Sequence, residues 1–205
     1  MSDTNVNNLV RANMWTFVHR FAVRSQIWED GDTVVQIKAL FTQDRKGRTT
    51  MTTTTEDDFV PFFYLPWIED GCFIGQIPNQ GPQYFFTGPL NGCTFAVDRN
   101  WYHPTVGHAN RQVELTTDGP RQREDLERAM RTSRSFFSRR GSGPTLTFVE
   151  SYRRREIERV GEDQDVSYNV FGYRGWLGWW FMYQVIDRYD QQVRPLRTES
   201  VWTFF

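Results

Sequence analysis

The chain has 205 residues, with 24 basic against 25 acidic side chains and a net charge of −1, so no global field advertises nucleic acid or an anionic membrane surface as partner. That length suits one domain with a sizeable core, and no apolar run is long enough to span a bilayer. Only two cysteines occur, Cys72 and Cys93, which excludes a disulfide framework and points to a working compartment that keeps thiols reduced.

The N-terminal Met-Ser-Asp-Thr-Asn-Val-Asn-Asn lacks the basic and apolar regions of a secretory signal, so any export is expected to use another route. Asn5–Ala12 suits a short helix, and Met14–Val23 reads as a strand, with Trp15, Phe17 and Phe21 on one parity and Arg20 and Arg24 on the other. Asp30-Gly31-Asp32 then turns into a strand over Thr33–Phe41, and Asp44-Arg45-Lys46-Gly47 turns into the threonine-rich run 49–55, the pattern of a meander. Glu56-Asp57-Asp58 is a solvated acidic patch, since no histidine or regular ligand spacing accompanies it. Phe59–Trp67 is apolar but interrupted by Pro61 and Pro66, which places it at a sheet edge or leading into a loop near the candidate site. Gly71–Gln83 has the Gly, Pro, Asn and Gln content of a surface loop, with Cys72 a structural residue inside it.

Farther along, Asp118-Gly119-Pro120 announces a helix, and Leu126, Ala129, Met130, Ser133 and Phe137 recur at helical spacing. Glu124/Arg128 and Glu127/Arg131 are i,i+4 pairs on its outer face. Thr145–Tyr152 alternates as a strand, and Arg153-Arg154-Arg155 beside Glu156 and Glu158 reads as a solvated face. Val166–Asp187 is a pair of strands about a turn at Tyr173-Arg174-Gly175, with Trp176, Trp179, Trp180, Phe181 and Tyr183 crowding the second, and Arg197–Phe205 carries a last strand. Strands dominate and arrive as hairpins rather than βαβ units. The fold expected is therefore α+β, a sandwich of two mainly antiparallel or mixed sheets with one or two flanking helices, forming a single domain over residues 1–205.

The stretch Tyr84–Gln112 carries the candidate chemistry. Cys93 follows the flexible Gly88-Pro89-Leu90-Asn91-Gly92 turn and opens the apolar run Thr94–Val97, after which a second segment delivers His103 and His108. Cysteine and histidine on neighbouring elements are the minimum for thiol catalysis, in which imidazole takes the thiol proton and the thiolate attacks. A glycine before the cysteine lets a carbonyl approach the backbone N–H groups that would hold an oxyanion. The same letters also describe an inert core cysteine with two incidental histidines. A catalytic Cys93 is expected to alkylate faster than Cys72, with a pH midpoint below that of a free thiol.

Thr87 followed by Leu90-Asn91-Gly92-Cys93 resembles the Leu-x-Gly-Cys signature of the Burkholderia lethal factor family of glutamine deamidase toxins, including a threonine six residues before the cysteine. The turn is also similar to the Leu-Ser-Gly-Cys turn of the cytotoxic necrotizing factor catalytic domains. Leu65-Pro66-Trp67 and Tyr183-Gln184 resemble further pieces of the first family, and the detailed resemblance covers about residues 62–110. It implies an α+β sandwich and a Cys93 nucleophile with a histidine base, with Thr87 orienting the histidine or the substrate, though a plain turn threonine explains that letter as well. Leu90, Asn91 and Gly92 would form the oxyanion turn.

His108 lies fifteen residues after Cys93, an interval similar to that of the necrotizing factors, in the extended segment Val106-Gly107-His108-Ala109. His103 lies ten residues after it and precedes Pro104, which restricts its backbone, so it is the alternative base. Asn110 is a candidate for orienting the imidazole.

The function expected is deamidation of a protein glutamine by a bacterial effector delivered without a classical signal peptide into a reducing host cytosol. The resemblance suggests a host translation-initiation helicase as target, or a small GTPase. No metal, cofactor, nucleic acid or membrane partner is expected, and the chain is expected to be a monomer. The same dyad also suits a cysteine protease or a transglutaminase. An aromatic-rich chain with 17 Phe, 8 Tyr and 8 Trp and a buried cysteine suits a non-enzymatic protein-binding domain.

Overall fold

The computed structural model describes residues 3–27, 31, 33–45, 47–67, 69–113, 116–117, 119–132, 146–150, 166–187 and 194–200. Two short helices open the chain, α1 (Asp3–Ala12) and α2 (Met14–Arg20), followed by β1 (Val23–Ser25), β2 (Val35–Gln43), β3 (Thr49–Thr53), β4 (Val60–Tyr64), β5 (Cys72–Gln76), β6 (Tyr84–Leu90), β7 (Thr94–Asp98) and β8 (Thr105–Ala109). A small ribbon, β9 (Gln112–Val113) and β10 (Thr116–Thr117), leads into α3 (Gly119–Thr132). Then come β11 (Leu146–Glu150), β12 (Val166–Gly175), β13 (Gly178–Asp187) and β14 (Arg194–Ser200).

The strands form a mixed eight-stranded sheet, β1-β3-β2-β4-β6-β12-β13-β14, and an antiparallel four-stranded sheet, β11-β7-β8-β5. The fold is an α+β sandwich, with three helices among the described residues rather than the one or two expected from sequence. Apolar side chains separate it into four layers. Val6, Val10, Phe17 and Val18 of α1 and α2 pack on one face of the large sheet against Phe41, Phe62, Phe86, Phe171 and Met182. The opposite face presents Phe63, Phe85, Trp179 and Phe181 to Phe95, Val97 and Val106 of the small sheet. Outside that sheet, Leu126 and Met130 of α3 cover Ala96 and Ala109. Central strands are thus buried on both faces, which is why Phe62-Phe63 and Phe85-Phe86 are consecutive rather than alternating. Each such side chain, removed from water, contributes about 1.5–3 kcal/mol before the entropy of ordering is subtracted.

Three segments depart from the sequence reading. Met14–Val23 is not a strand: Asn13 caps α2 through its side-chain oxygen, which accepts from Thr16 N–H at 2.8 Å, and Met14, Phe17 and Val18 are buried at helical spacing. The apparent alternation concealed a three-and-four repeat, and Trp15 on its own parity is 41% exposed. The turn of α2 into β1 is then fixed by two buried amides of the large sheet. Gln184 Nε2 donates to Val18 and Phe21 carbonyls (2.6 and 2.7 Å) and its oxygen accepts from Val23 N–H (3.0 Å), while Asn169 donates to the Val23 carbonyl (2.6 Å). That anchored segment makes β1 a parallel neighbour of β3, so only β2 and β3 form the hairpin of the expected meander.

The proline-containing strand β4 is internal, lying between β2 and β6, and not at an edge; Pro61 sits one residue before the pairing with β6 begins at Phe62, where its missing N–H interrupts no rung of that ladder. The expected loop 71–83 contains β5, an edge strand of the small sheet paired with β8 from Cys72↔Ala109 to Gln76↔Thr105. Its Gly75 serves close packing rather than looping, since a Cβ there would lie 2.7 Å from Val34 N. The chain leaves β4 for the small sheet and returns as β6, which makes β4 and β6 parallel without an intervening helix.

The remaining turns fall near their expected places. The β2–β3 turn uses Gly47 at φ 79°, with Asp44 accepting from Arg48 N–H at 2.9 Å. The β12–β13 turn is at Trp176-Leu177, just past the expected Tyr173-Arg174-Gly175. On α3, Arg131 pairs with Glu127 as expected (3.7 Å), but Arg128 pairs with Asp125 (3.7 Å). Ser133, Phe137, the arginines 153–155 and residues 201–205 lie outside the described residues, as do Asp30, Asp32 and Asp118. Among the described residues no helix is long and apolar enough to cross a membrane.

Candidate active site

Thr87, His108 and Cys93 reach the interface between the two sheets from three different strands or strand ends. Thr87 lies on β6 of the large sheet, in the same parity as Phe85, and so faces the small sheet. His108 lies on β8 of the small sheet, with Phe95 opposite it on β7 and Phe73 opposite it on β5. Cys93 immediately precedes β7. Continuing the β7–β8 register by one residue sets it beside Asn110 and diagonal to His108, a relation of roughly 7 Å between the two positions. Cys93 shares its face with Phe95, Val97 and Val106, the face that also carries His108.

Within the apolar interface of the two sheets runs a polar contact. Thr87 Oγ1 lies 2.9 Å from Leu65 O and 2.9 Å from His108 Nδ1, all of it buried. A hydroxyl has one proton and a carbonyl can only accept, so both contacts are satisfied at once when Thr87 donates to Leu65 and His108 donates from Nδ1 to Thr87. The imidazole is then the Nδ1–H tautomer, and Nε2 carries the lone pair. That atom is buried and has no hydrogen-bond partner among the described residues. An orphaned buried nitrogen costs free energy, so its persistence calls for a reason beyond packing. With Phe73 and Phe95 beside it, burial pushes the His108 pKa down to about 3, and the ring is neutral. Asn110 is not what orients the imidazole, because Nδ1 is held by Thr87.

Cys93 is a free thiol, 3% exposed, with Sγ 3.7 Å from the carbonyl of Asn91. Burial pushes its pKa up to about 11, against the smaller lowering effect of that backbone contact. Cys72, half-buried on β5, is raised to about 11 as well, by burial and then by the carboxylate of Asp125 against the opposing guanidinium of Arg111. The expectation of a depressed Cys93 midpoint is therefore not met in this state. The resting pair is a thiol and a neutral imidazole.

The segment Gly88–Gly92, expected as a flexible turn, is one only in part: Gly88, Pro89 and Leu90 belong to β6, and the bend before Cys93 is Asn91-Gly92. Gly92 adopts φ 78°, the left-handed region where a Cβ is penalised. Gly88 has φ 145° and no room for a side chain, since a Cβ would sit 2.8 Å from Asn169 Oδ1. Leu90 is buried and pairs with Tyr168, whereas Asn91 is exposed and Gly92 half-buried. His103 is elsewhere. It lies in the turn linking β7 to β8, beyond the Asp98–Thr105 end of the hairpin, and Asp98 is itself five residues, roughly 16 Å along the strand, from Cys93. Its N–H donates to Asn100 Oδ1 at 3.2 Å.

One residue at this site escaped the sequence reading. Gln122, fully buried on the face of α3 that carries Leu126 and Met130, donates from Nε2 to Gly92 O (2.8 Å) and Arg111 O (3.1 Å), and accepts from Thr94 Oγ1 (2.8 Å). The signal was present in the letters: an amide at an otherwise apolar position four residues before Leu126. The chain matches no protein-family model and has no significant match among curated proteins.

Proposed function

We propose that this chain is a protein-glutamine deamidase in which Cys93 is the nucleophile and His108 the proton carrier, with Thr87 holding the imidazole. The observation that carries the reading is the Thr87–His108 hydrogen bond across the sheet interface, which leaves Nε2 with a lone pair on the face that bears Cys93. The resemblance of Thr87 and Leu90-Asn91-Gly92-Cys93 to the glutamine deamidase toxins supplies the substrate class.

The thiol passes its proton to Nε2 as sulfur attacks the glutamine carboxamide carbon, and the oxyanion is met by backbone N–H groups of the Gly92-Cys93 turn. The C–N bond breaks, ammonia leaves with the proton from Nε2, and a thioester remains. Water, losing a proton to Nε2, hydrolyses the thioester to glutamate and the thiol is restored. Conversion of a neutral amide that both donates and accepts into an anion is enough to disable a target that uses that glutamine. The action suits an effector working in a reducing host cytosol, where both thiols persist, on a translation-initiation helicase or a small GTPase. Proteolysis and transamidation share the first half of this path and differ in the acyl group admitted or in the acceptor.

A second reading has its own observation. Cys93 is nearly inaccessible and its thiol is protonated, as in an inert core cysteine, while Trp176 (89% exposed) and Tyr102 (61%) offer aromatic surface to a protein partner. One experiment separates the two. Eukaryotic lysate is incubated with the chain, with Cys93→Ser, with His108→Ala and with His103→Ala, and its proteins are mapped by peptide mass. The deamidase reading expects glutamine-to-glutamate conversion with the parent and His103→Ala and none with the other two. Absence of any Cys93-dependent conversion leaves the binding reading.

A further inference from the structure

We propose that Gln122 is a positioning residue of this site: its single buried amide sets the orientation of the Gly92–Cys93 peptide, the donor intended for the oxyanion, and ties it to the segment just past the strand that carries His108. The inference rests on the deamidase reading and adds to it a residue outside the Cys-His-Thr set.

The amide makes three hydrogen bonds, and their destinations are specific. Gly92 O and Thr94 Oγ1 belong to the residues on either side of Cys93, and Arg111 O lies three residues beyond His108. Thr94 shares the parity of Ala96, the face of β7 that meets α3, so Cys93 is turned to the opposite face, toward the sheet interface. The Gly92–Cys93 peptide is trans. In a trans peptide the N–H points opposite to the C=O. Drawing Gly92 O toward α3 therefore aims the Cys93 N–H away from α3. Without that anchor, a glycine at φ 78° next to an exposed asparagine leaves the peptide plane free to rotate, because glycine permits both signs of φ.

An apolar side chain would fill the same space under α3 and match Leu126 and Met130. A buried amide instead carries a desolvation cost that only its three partners offset. Those partners are the flanks of the nucleophile and the segment just past the histidine strand, which is the pattern of a supporting shell around a reacting centre. Oxyanion donors lose their effect when displaced by a fraction of a hydrogen-bond length, so the expected consequence of losing the anchor falls on rate.

Gln122→Met keeps the volume and removes the three bonds, and Leu126→Ala weakens the packing of α3 one turn away without touching the Cys93 turn. Both are compared with the parent for thermal midpoint and for the initial rate of Cys93-dependent ammonia release from dialysed eukaryotic lysate. Gln122→Met is expected to lose at least about tenfold in rate, whereas Leu126→Ala, despite an equal or larger fall in midpoint, keeps a rate within about twofold of the parent. Thr94→Ser, which retains the hydroxyl, is expected to be several-fold faster than Thr94→Val. An active parent with Gln122→Met no slower than Leu126→Ala overturns the proposal and leaves the deamidase reading standing. A parent that releases no more ammonia than Cys93→Ser overturns both.

Discussion

A hydroxyl wedged between a carbonyl and an imidazole has no choice of direction, and Thr87 uses that constraint to select one tautomer of His108. Thr87→Val keeps the shape, strands the Leu65 carbonyl and Nδ1, and is expected to cost about 1–3 kcal/mol in urea stability. It is also expected to lower the proposed deamidation by about 10²-fold through loss of the correct protonation pattern, with Thr87→Ser retaining most of both. Nitrogen chemical shifts of His108 should report Nδ1–H in the parent and a mixture in Thr87→Val. A parent already mixed would remove Thr87 from the mechanism.

Burial of the same imidazole has a consequence for stability. In the unfolded chain His108 takes a proton near its ordinary value of 6.5, and in the folded chain only near 3. Between those values the unfolded state holds a proton that the folded state does not, so this contribution is full above about pH 6.5. It falls by about 1.4 kcal/mol for each pH unit below that. The difference in urea stability between the parent and His108→Gln should therefore shift against the parent as pH is lowered from 7 to 5, and a difference independent of pH would contradict the burial.

Among the elements, α3 is the one whose placement the site depends on, and it approaches the small sheet closely because Gly107 has no side chain. A Cβ on Gly107 would lie 2.5 Å from Leu126 Cδ2 and 3.2 Å from Ile74 Cγ2. Gly107→Ala is expected to cost about 1–3 kcal/mol by overpacking. It is also expected to slow the proposed deamidation, since α3 must move outward and Gln122 moves with it. The rate loss should be partly recovered in Gly107→Ala/Leu126→Ala, where the obstructing methyl groups are gone. Failure of that recovery would mean that the glycine acts through the backbone of β8 instead.

At the scale of the molecule, the inter-sheet core draws Phe63, Phe85, Trp179 and Phe181 from the large sheet and Phe95, Val97 and Val106 from the small one. Neither sheet can lose its partner without exposing most of that apolar surface, so the two are expected to unfold together. Far-UV circular dichroism and tryptophan fluorescence should give coincident urea transitions, and two separated transitions would show that one sheet stands alone.

The hairpin β2–β3, helix α3, the paired strands β12–β13 and the α+β class were legible in the sequence because each rests on local periodicity and turn chemistry. So was the grouping of Thr87, Cys93 and His108 as candidates, since a short motif and residue chemistry suggested it. Other features were decided only by tertiary contacts. Met14–Arg20 became a helix because a buried face and an Asn13 cap outweighed the alternation of its aromatic residues, and Gly75 marked close packing where its letter suggested a loop. The protonation state of the site belongs to the same class. One strand brings Thr87 from the large sheet, Phe73 and Phe95 flank His108 in the small sheet and exclude water from it, and burial raises the Cys93 thiol. Those are properties of residues far apart in the chain, and no local pattern carries desolvation.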